Sequence, residues 1–309
     1  LQGEEVFCII GDTDSMGANT LKNASAPSQP AGVDAGQQSC PLFATSPDGT
    51  HIAYDRRGVG PAIILLHCGG SSRQEWYQAG YVSRLHDQFT VISLDLRGHG
   101  ESDLPTAPSA YTIEKMEQDI LAVADACGIE HFTLWGMSYG AKVGRYLAVH
   151  SPRVEQFIML GNPLGLGVSG EQRQAAVDFC AHWSPIIQAQ QQGRLDLASL
   201  SPVDQETLHS LKVPAMLGWV RAMLDWPEVA PPDFRCPTLY LVGSEDQPAV
   251  QSLAEYKATI PGSLLQVQVV EGLDHDQLFD DIARVFPLLS AFTQCGKITL
   301  EKPNDSHYP

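Results

Sequence analysis

The stretch His131-Phe132-Thr133-Leu134-Trp135-Gly136-Met137-Ser138-Tyr139-Gly140-Ala141-Lys142-Val143-Gly144-Arg145-Tyr146-Leu147-Ala148 decides the fold. Its opening residues form an apolar run of the kind found in a strand covered on both faces. From Ala141 onward it reads as a helix. Between the two, Gly136-Met137-Ser138-Tyr139-Gly140 must turn the chain sharply with a Ser at the apex. Such a turn presses the backbone on either side of the Ser against its neighbours, which favours residues without a Cβ. A helix that begins directly behind the Ser aims free N–H groups and the positive end of its dipole at that point. A glycine-flanked Ser in an ordinary turn has the same five letters. The strand before and the helix after separate the two readings.

Outward from this segment the same alternation continues. Apolar runs at 62–66, 90–94, 154–160, 237–242 and 264–270 read as strands, and helix-like stretches lie at 76–86, 112–127, 141–150, 249–260 and 277–292. Residues 42–45 and 51–56 flank Pro47-Asp48-Gly49 and read as a hairpin. Strands alternating with helices predict an α/β fold with a mostly parallel central sheet and helices on both faces. One interval breaks the rhythm. Between Asn162-Pro163 and Pro231-Pro232 no strand-like run occurs, only helical patterns at 171–192 and 203–225. The chain is therefore expected to divide into a core over 41–163 and 233–296, and a small helical cap over 164–232. An extension over 1–40 is rich in Gly, Ala, Ser, Gln and Pro and is expected to be flexible, with a stray strand at 6–10. A polar tail covers 297–309.

A Ser hydroxyl is a poor nucleophile until a base removes its proton. His275 follows the last strand-like run, and loops at the carboxyl ends of strands are where such sheets place reacting groups. His67 and His99 are competitors on similar loops, but both precede the Ser. The run ending at Gly243 leads into Ser244-Glu245-Asp246, which puts the carboxylate of Asp246, or of its neighbour Glu245, at a strand end. Negative charge developing on a substrate oxygen needs preorganised donors. One is the backbone N–H of Tyr139. The second is expected from His67-Cys68-Gly69-Gly70-Ser71-Ser72, at Gly69.

Composition removes other classes. Of 309 residues, 43% are hydrophobic and 18% charged, and the formal net charge is −17. A surface of that sign repels phosphate backbones and excludes nucleic acid as a partner. No apolar run approaches the roughly 20 residues that span a bilayer. The seven cysteines are odd in number and form no CxxC pair. They read as buried free thiols of a reducing compartment, which favours the cytoplasm. The start at Leu1 has no basic segment of a signal peptide. No HxxEH-like spacing suggests a metal, and no cofactor is expected. The oligomeric state is not encoded in any feature found.

Five motifs together resemble the α/β-hydrolase superfamily, particularly its smaller capped esterases and lactonases, over about residues 41–295. They are His67-Cys68-Gly69-Gly70, Asp95-Leu96-Arg97-Gly98-His99-Gly100-Glu101-Ser102, Gly136-Met137-Ser138-Tyr139-Gly140, Gly243-Ser244-Glu245-Asp246 and Gly272-Leu273-Asp274-His275. The resemblance implies a catalytic triad of Ser138, Asp246 and His275, with the Gly69 and Tyr139 amides as oxyanion hole. It implies a scaffolding role for the Asp95 to Ser102 stretch. Relatives commonly carry Gly where this chain has Cys68 and His where it has Met137. The expected reaction is hydrolysis of a small or medium, mainly uncharged ester or lactone through an acyl-enzyme on Ser138. Relatives that open epoxides use Asp at the elbow, which argues against that chemistry. Met137, Trp183, Trp219 and Met223, with Met216, Leu224 and Trp226, are expected to line the substrate pocket or to pack the cap on the core. C–C bond hydrolysis and cofactor-free perhydrolysis remain open on the same triad, as does a ligand-binding or receptor role with little turnover.

Overall fold

A computed structural model describes residues 40–298. Eight strands form one sheet: β1 (Leu42–Thr45), β2 (His51–Arg57), β3 (Ala62–Leu66), β4 (Thr90–Leu94), β5 (Phe132–Met137), β6 (Val154–Leu160), β7 (Thr238–Gly243) and β8 (Leu265–Val270). Their order across the sheet is β1-β2-β4-β3-β5-β6-β7-β8. The β1–β2 and β2–β4 pairs are antiparallel, and the others are parallel. β3, β4, β5 and β7 are buried along their whole length, as the continuous apolar runs predict.

The pleat sends alternate residues to opposite faces. Ile64, Leu66 and Leu134 pack beneath α3 (Ile113–Ala126) and α4 (Tyr139–His150). Ile63, Leu65 and Trp135 pack on the other face beneath α1 (Glu75–Gln78), α2 (Tyr81–Leu85), α9 (Gln277–Asp280) and α10 (Ile282–Ile298). The first face also receives α5 (Gly170–Gln191), α6 (Pro202–Ser210) and α7 (Val213–Met223), which run between β6 and β7, and α8 (Gln247–Tyr256). The 165 and 229 segments meet where this helical insertion leaves and rejoins the sheet, through an antiparallel bridge between Gly165 and Val229.

Several boundaries differ from the sequence expectation. The helix expected over 76–86 is two short helices, because Gly80 between them is left-handed at φ 80°. The stretch 203–225 divides at Leu211 and Lys212, where Pro214 opens α7. The stretch 277–292 divides at Asp281. β5 runs on to Met137, and α4 starts at Tyr139, two residues before the expected start. All five described cysteines are free, but only Cys180 and Cys236 are buried; Cys68 and Cys127 are half-buried and Cys40 is exposed. Apolar neighbours in sequence did not translate into burial there, because these residues sit at element ends. The expected extension (apart from Cys40), the stray strand at 6–10, Cys8, the Cys295 side chain and the tail from 299 lie outside the described residues. No helix among the described residues is long and apolar enough to cross a membrane.

Candidate active site

Ser138 sits between β5 and α4 at φ 52°, ψ −113°, and it is the one non-glycine residue with positive φ among those described. A residue held in that region is strained, and it persists only where its surroundings enforce it. Here they do. The Ser138 N–H donates to Leu160 O at 2.9 Å, and its carbonyl accepts from Lys142 N–H at 2.9 Å. A Cβ on Gly136 would collide with the backbone at Gly140 and Ala141, and one on Gly140 with the carbonyls of Leu66 and His67. Both glycines of the motif are required by contact, and Gly140 draws the 67–70 loop against the start of α4.

His275 and Asp246 arrive from the carboxyl ends of β8 and β7. His275 Nε2 lies 3.1 Å from Ser138 Oγ, and His275 Nδ1 lies 3.0 Å from Asp246 Oδ2. Asp246 is buried, and its other oxygen caps α8 by accepting from Ala249 N–H at 3.3 Å. Gly243 lets this corner close, since a Cβ there would overlap the Leu273 carbonyl. Glu245 is exposed, and its backbone N–H donates to Leu273 O. A carboxylate on one imidazole nitrogen fixes the tautomer that leaves the other free to accept a hydroxyl proton. The three side chains form one line of contacts that ends at the Ser138 oxygen.

The competing histidines are occupied otherwise. His67 accepts from Leu96 N–H at Nε2 (3.0 Å), so Nδ1 carries the proton and donates to Cys68 O at 2.7 Å. Burial pushes its pKa down to about 4. His99 is likewise buried and held neutral, with its pKa lowered to about 3 by burial and by His67.

Gly69 is buried, and its amide has no acceptor among the described residues. The Tyr139 amide is the first of α4 and has no intrahelical acceptor. Both amides are thus left without a protein acceptor among the described residues. A residue that the sequence reading missed holds the loop one position before Gly69. Glu75 Oε1 accepts the Cys68 N–H at 2.8 Å, and burial pushes the Glu75 carboxyl up to about 7. Only the fold brings this carboxylate under the loop, so no local pattern marked it.

The sign of that shift gives a test. Because the folded pKa exceeds the unfolded one, the folded state holds an extra proton between about pH 4.5 and 7. Its stabilising contribution is complete below that window and is lost as pH rises through it. Glu75→Gln keeps an acceptor for Cys68 without the charge. It should match the wild type near pH 4.5 and exceed it at pH 8 by about 1–3 kcal/mol. Denaturation curves of the two proteins that stay parallel across this range would refute the assignment.

The side chains expected to line the pocket separate into two groups. Trp219 stands 4.9 Å from the Tyr139 ring and 5.5 Å from His99, and Trp226 stacks on Tyr139 at 6.0 Å, so both reach the residue beside Ser138. Met137 is buried on the opposite face, and its Cε reaches Gly161, which also abuts His275. Trp183 instead packs with Phe179 and His182 inside the helical insertion. The Met223 side chain is buried in the same core, and its carbonyl lies against Gly167. No cluster of three or more His, Cys, Asp or Glu side chains among the described residues is arranged to hold a metal ion.

The alpha/beta hydrolase fold family profile matches residues 61–199. The chain is 33% identical to 3-oxoadipate enol-lactonase 2 of Acinetobacter baylyi over 108 residues, a stretch that covers 35% of this chain and only 39% of that enzyme. An uncharacterised protein of Mycobacterium tuberculosis is 28% identical over 274 residues, 79% of this chain and 78% of its own length. Among solved structures, a thermophilic esterase of Thermogutta terrifontis superposes with a TM-score of 0.65 at 21% identity, over 84% of this chain and 99% of the esterase. At that identity the likeness speaks to the fold.

Proposed function

We propose that this chain, a member of the α/β-hydrolase fold superfamily, is a serine hydrolase that cleaves a small or medium carboxylic ester or lactone. The observation that carries the reading is the continuous hydrogen-bonded line from Asp246 through His275 to Ser138, with the nucleophile in a strained turn at the head of a helix. Ser138 Oγ attacks the ester carbonyl as His275 Nε2 takes its proton. Asp246 holds the imidazole in position and stabilises the imidazolium. The Gly69 and Tyr139 amides receive the oxygen as it gains charge. His275 then returns the proton to the leaving alcohol, and the acyl group stays on Ser138. Water, deprotonated by the same His275, releases the acid and restores the hydroxyl. In a lactone the leaving alcohol remains attached, so one product results.

The helical insertion is the cap of this reading, covering the elbow with Trp219 and Trp226. These walls suit a mainly apolar substrate body. C–C bond cleavage and perhydrolysis use the same three residues, and no contact in the site favours them over ester cleavage.

A fluorophosphonate probe tests the proposal without knowledge of the substrate. Mass spectrometry is expected to find the label on Ser138 and to lose it in His275→Ala, and nitrophenyl esters and lactones should be turned over. Absence of label in folded protein, beside a reactive esterase control, would move a binding role to the front.

A further inference from the structure

One turn along α4 from Ser138 stands a lysine that neither the sheet nor the proposed reaction accounts for. Lys142 is 6% exposed, and Arg145, one turn further on, is fully buried. Lys142 shares the face of the helix that carries Ser138, since its N–H bonds to the Ser138 carbonyl. Helical side chains lean toward the N-terminus, which in α4 is the end that carries Ser138. Among the described residues no Asp or Glu pairs with it, and the charge that acts on it is another cation, Arg145. Burial and that like charge bring its pKa down to about 7.

Arg145 is no better matched. Its Nη1 donates to Pro163 O at 3.0 Å and its Nη2 to Tyr146 Oη at 3.3 Å, both neutral, and its Nε has no partner. Glu228, on the same side, is engaged by the Tyr256 hydroxyl. Beside Pro163 lies Asn162, 1% exposed, with neither its Nδ2 nor its Oδ1 satisfied. Asn162 follows Gly161, whose Cα faces His275. The segment Gly161, Asn162 and Pro163 thus runs from His275 to Arg145, whose charge in turn acts on Lys142. The chain has 36 acidic residues against 19 Lys and Arg, yet among the described residues neither of these two buried cations is paired with an acid. Unpaired buried charge is strongly destabilising unless something supplies the counter-charge.

We propose that Lys142, Arg145 and Asn162 form a subsite for a carboxylate, so that the substrate is an ester or lactone carrying a free carboxylate on an otherwise apolar body. This rests on the hydrolase reading and departs from the mainly uncharged substrate that the sequence suggested. Four residues of helix offset Lys142 from Ser138 by about 6 Å along the axis, which suits a carboxylate held about four to six methylene groups from the ester carbonyl. A site built around buried polar groups discriminates sharply against an analogue that leaves them unpaired.

The test compares 4-nitrophenyl monoesters of linear C6 to C8 dicarboxylic acids with the matching ω-carboxamides. In wild type the acid-to-amide ratio of kcat/KM is expected to be about 30 or more. In Lys142→Met it falls to near one, and Lys142→Arg retains most of it. Asn162→Ala lowers the ratio in the same direction and serves if Lys142→Met does not fold. A wild-type ratio near one, in protein whose Ser138 takes the fluorophosphonate label, overturns the subsite and leaves the hydrolase reading intact. If neither ester is cleaved and Ser138 is unlabelled, the hydrolase reading has failed. Calorimetric binding of heptanoate against heptanamide then decides the subsite alone. A carboxylate preference that disappears in Lys142→Met supports it, and equal binding overturns it.

Discussion

Ser138→Ala and His275→Ala should each lower kcat on a reactive ester by about 10⁵-fold or more, and the double variant should fall no further. The reason lies in the 3.1 Å contact between Ser138 Oγ and His275 Nε2. Without the base the hydroxyl is not a nucleophile, and without the hydroxyl the base has no proton to take, so either loss removes the whole unit. What survives is binding and the Gly69 and Tyr139 amides, worth about 10³-fold over water. Asp246→Asn is expected to cost about 10⁴-fold, because an amide in place of Oδ2 can present an N–H to Nδ1 and impose the wrong tautomer. KM should change little in all three, since none of these contacts differs between free and bound substrate. Single-turnover measurements on the four proteins check this. If the losses in the single variants multiply in the double variant, Ser138 and His275 act independently and the proposed mechanism is wrong.

The parts of the molecule legible in the sequence are those written in short windows. The runs at 62–66 and 90–94 match β3 and β4 residue for residue, because a strand buried on both faces must be apolar throughout. Gly136 and Gly140 announced the elbow because backbone contact forbids any side chain there. Asp246 and His275 were singled out by position, each just beyond a strand end; in the structure His275 contacts Ser138, and Asp246 contacts His275. What stayed hidden depends on contacts between distant segments. Gly80 looked tolerable inside a helix until its left-handed φ divided the 76–86 stretch. Glu75, just before that stretch, carried no signal of its own, and the fold sets its carboxylate on the Cys68 amide. The burial of Lys142 and Arg145 is likewise invisible in their own window: α4 is covered on nearly every side, so its lysine and arginine are buried with it.

The Asp95 to Ser102 stretch shows the same division, and it carries the largest stability effect expected of any single change. Its resemblance to a family motif implied scaffolding, and the structure supplies the physics. Asp95 is fully buried, and it accepts the backbone N–H groups of Arg73 at 2.6 Å and Glu101 at 2.8 Å. The Arg73 guanidinium, itself 2% exposed, pairs with Asp95, with Asp55 at 2.9 Å and with Glu101 at 2.5 Å. Gly100 has no Cβ because one would overlap the Asp95 carboxylate. One cation thus ties β2, the end of β4 and the loop that carries Gly69. Arg73→Met keeps the bulk and removes the charge, leaving Asp55 and Asp95 buried without a counter-ion, which costs about 3–5 kcal/mol. At about 2–4 °C per kcal/mol for a chain of this size, the melting temperature should drop by roughly 6–20 °C. Asp95→Asn should also destabilise, and Arg73→Met with Asp95→Asn should lose less than the sum of the two, because the second change removes a charge already stranded by the first. A melting temperature within a degree or two of wild type for Arg73→Met, or strict additivity in the pair, would show that the network is decoration on a loop held by its backbone bonds alone.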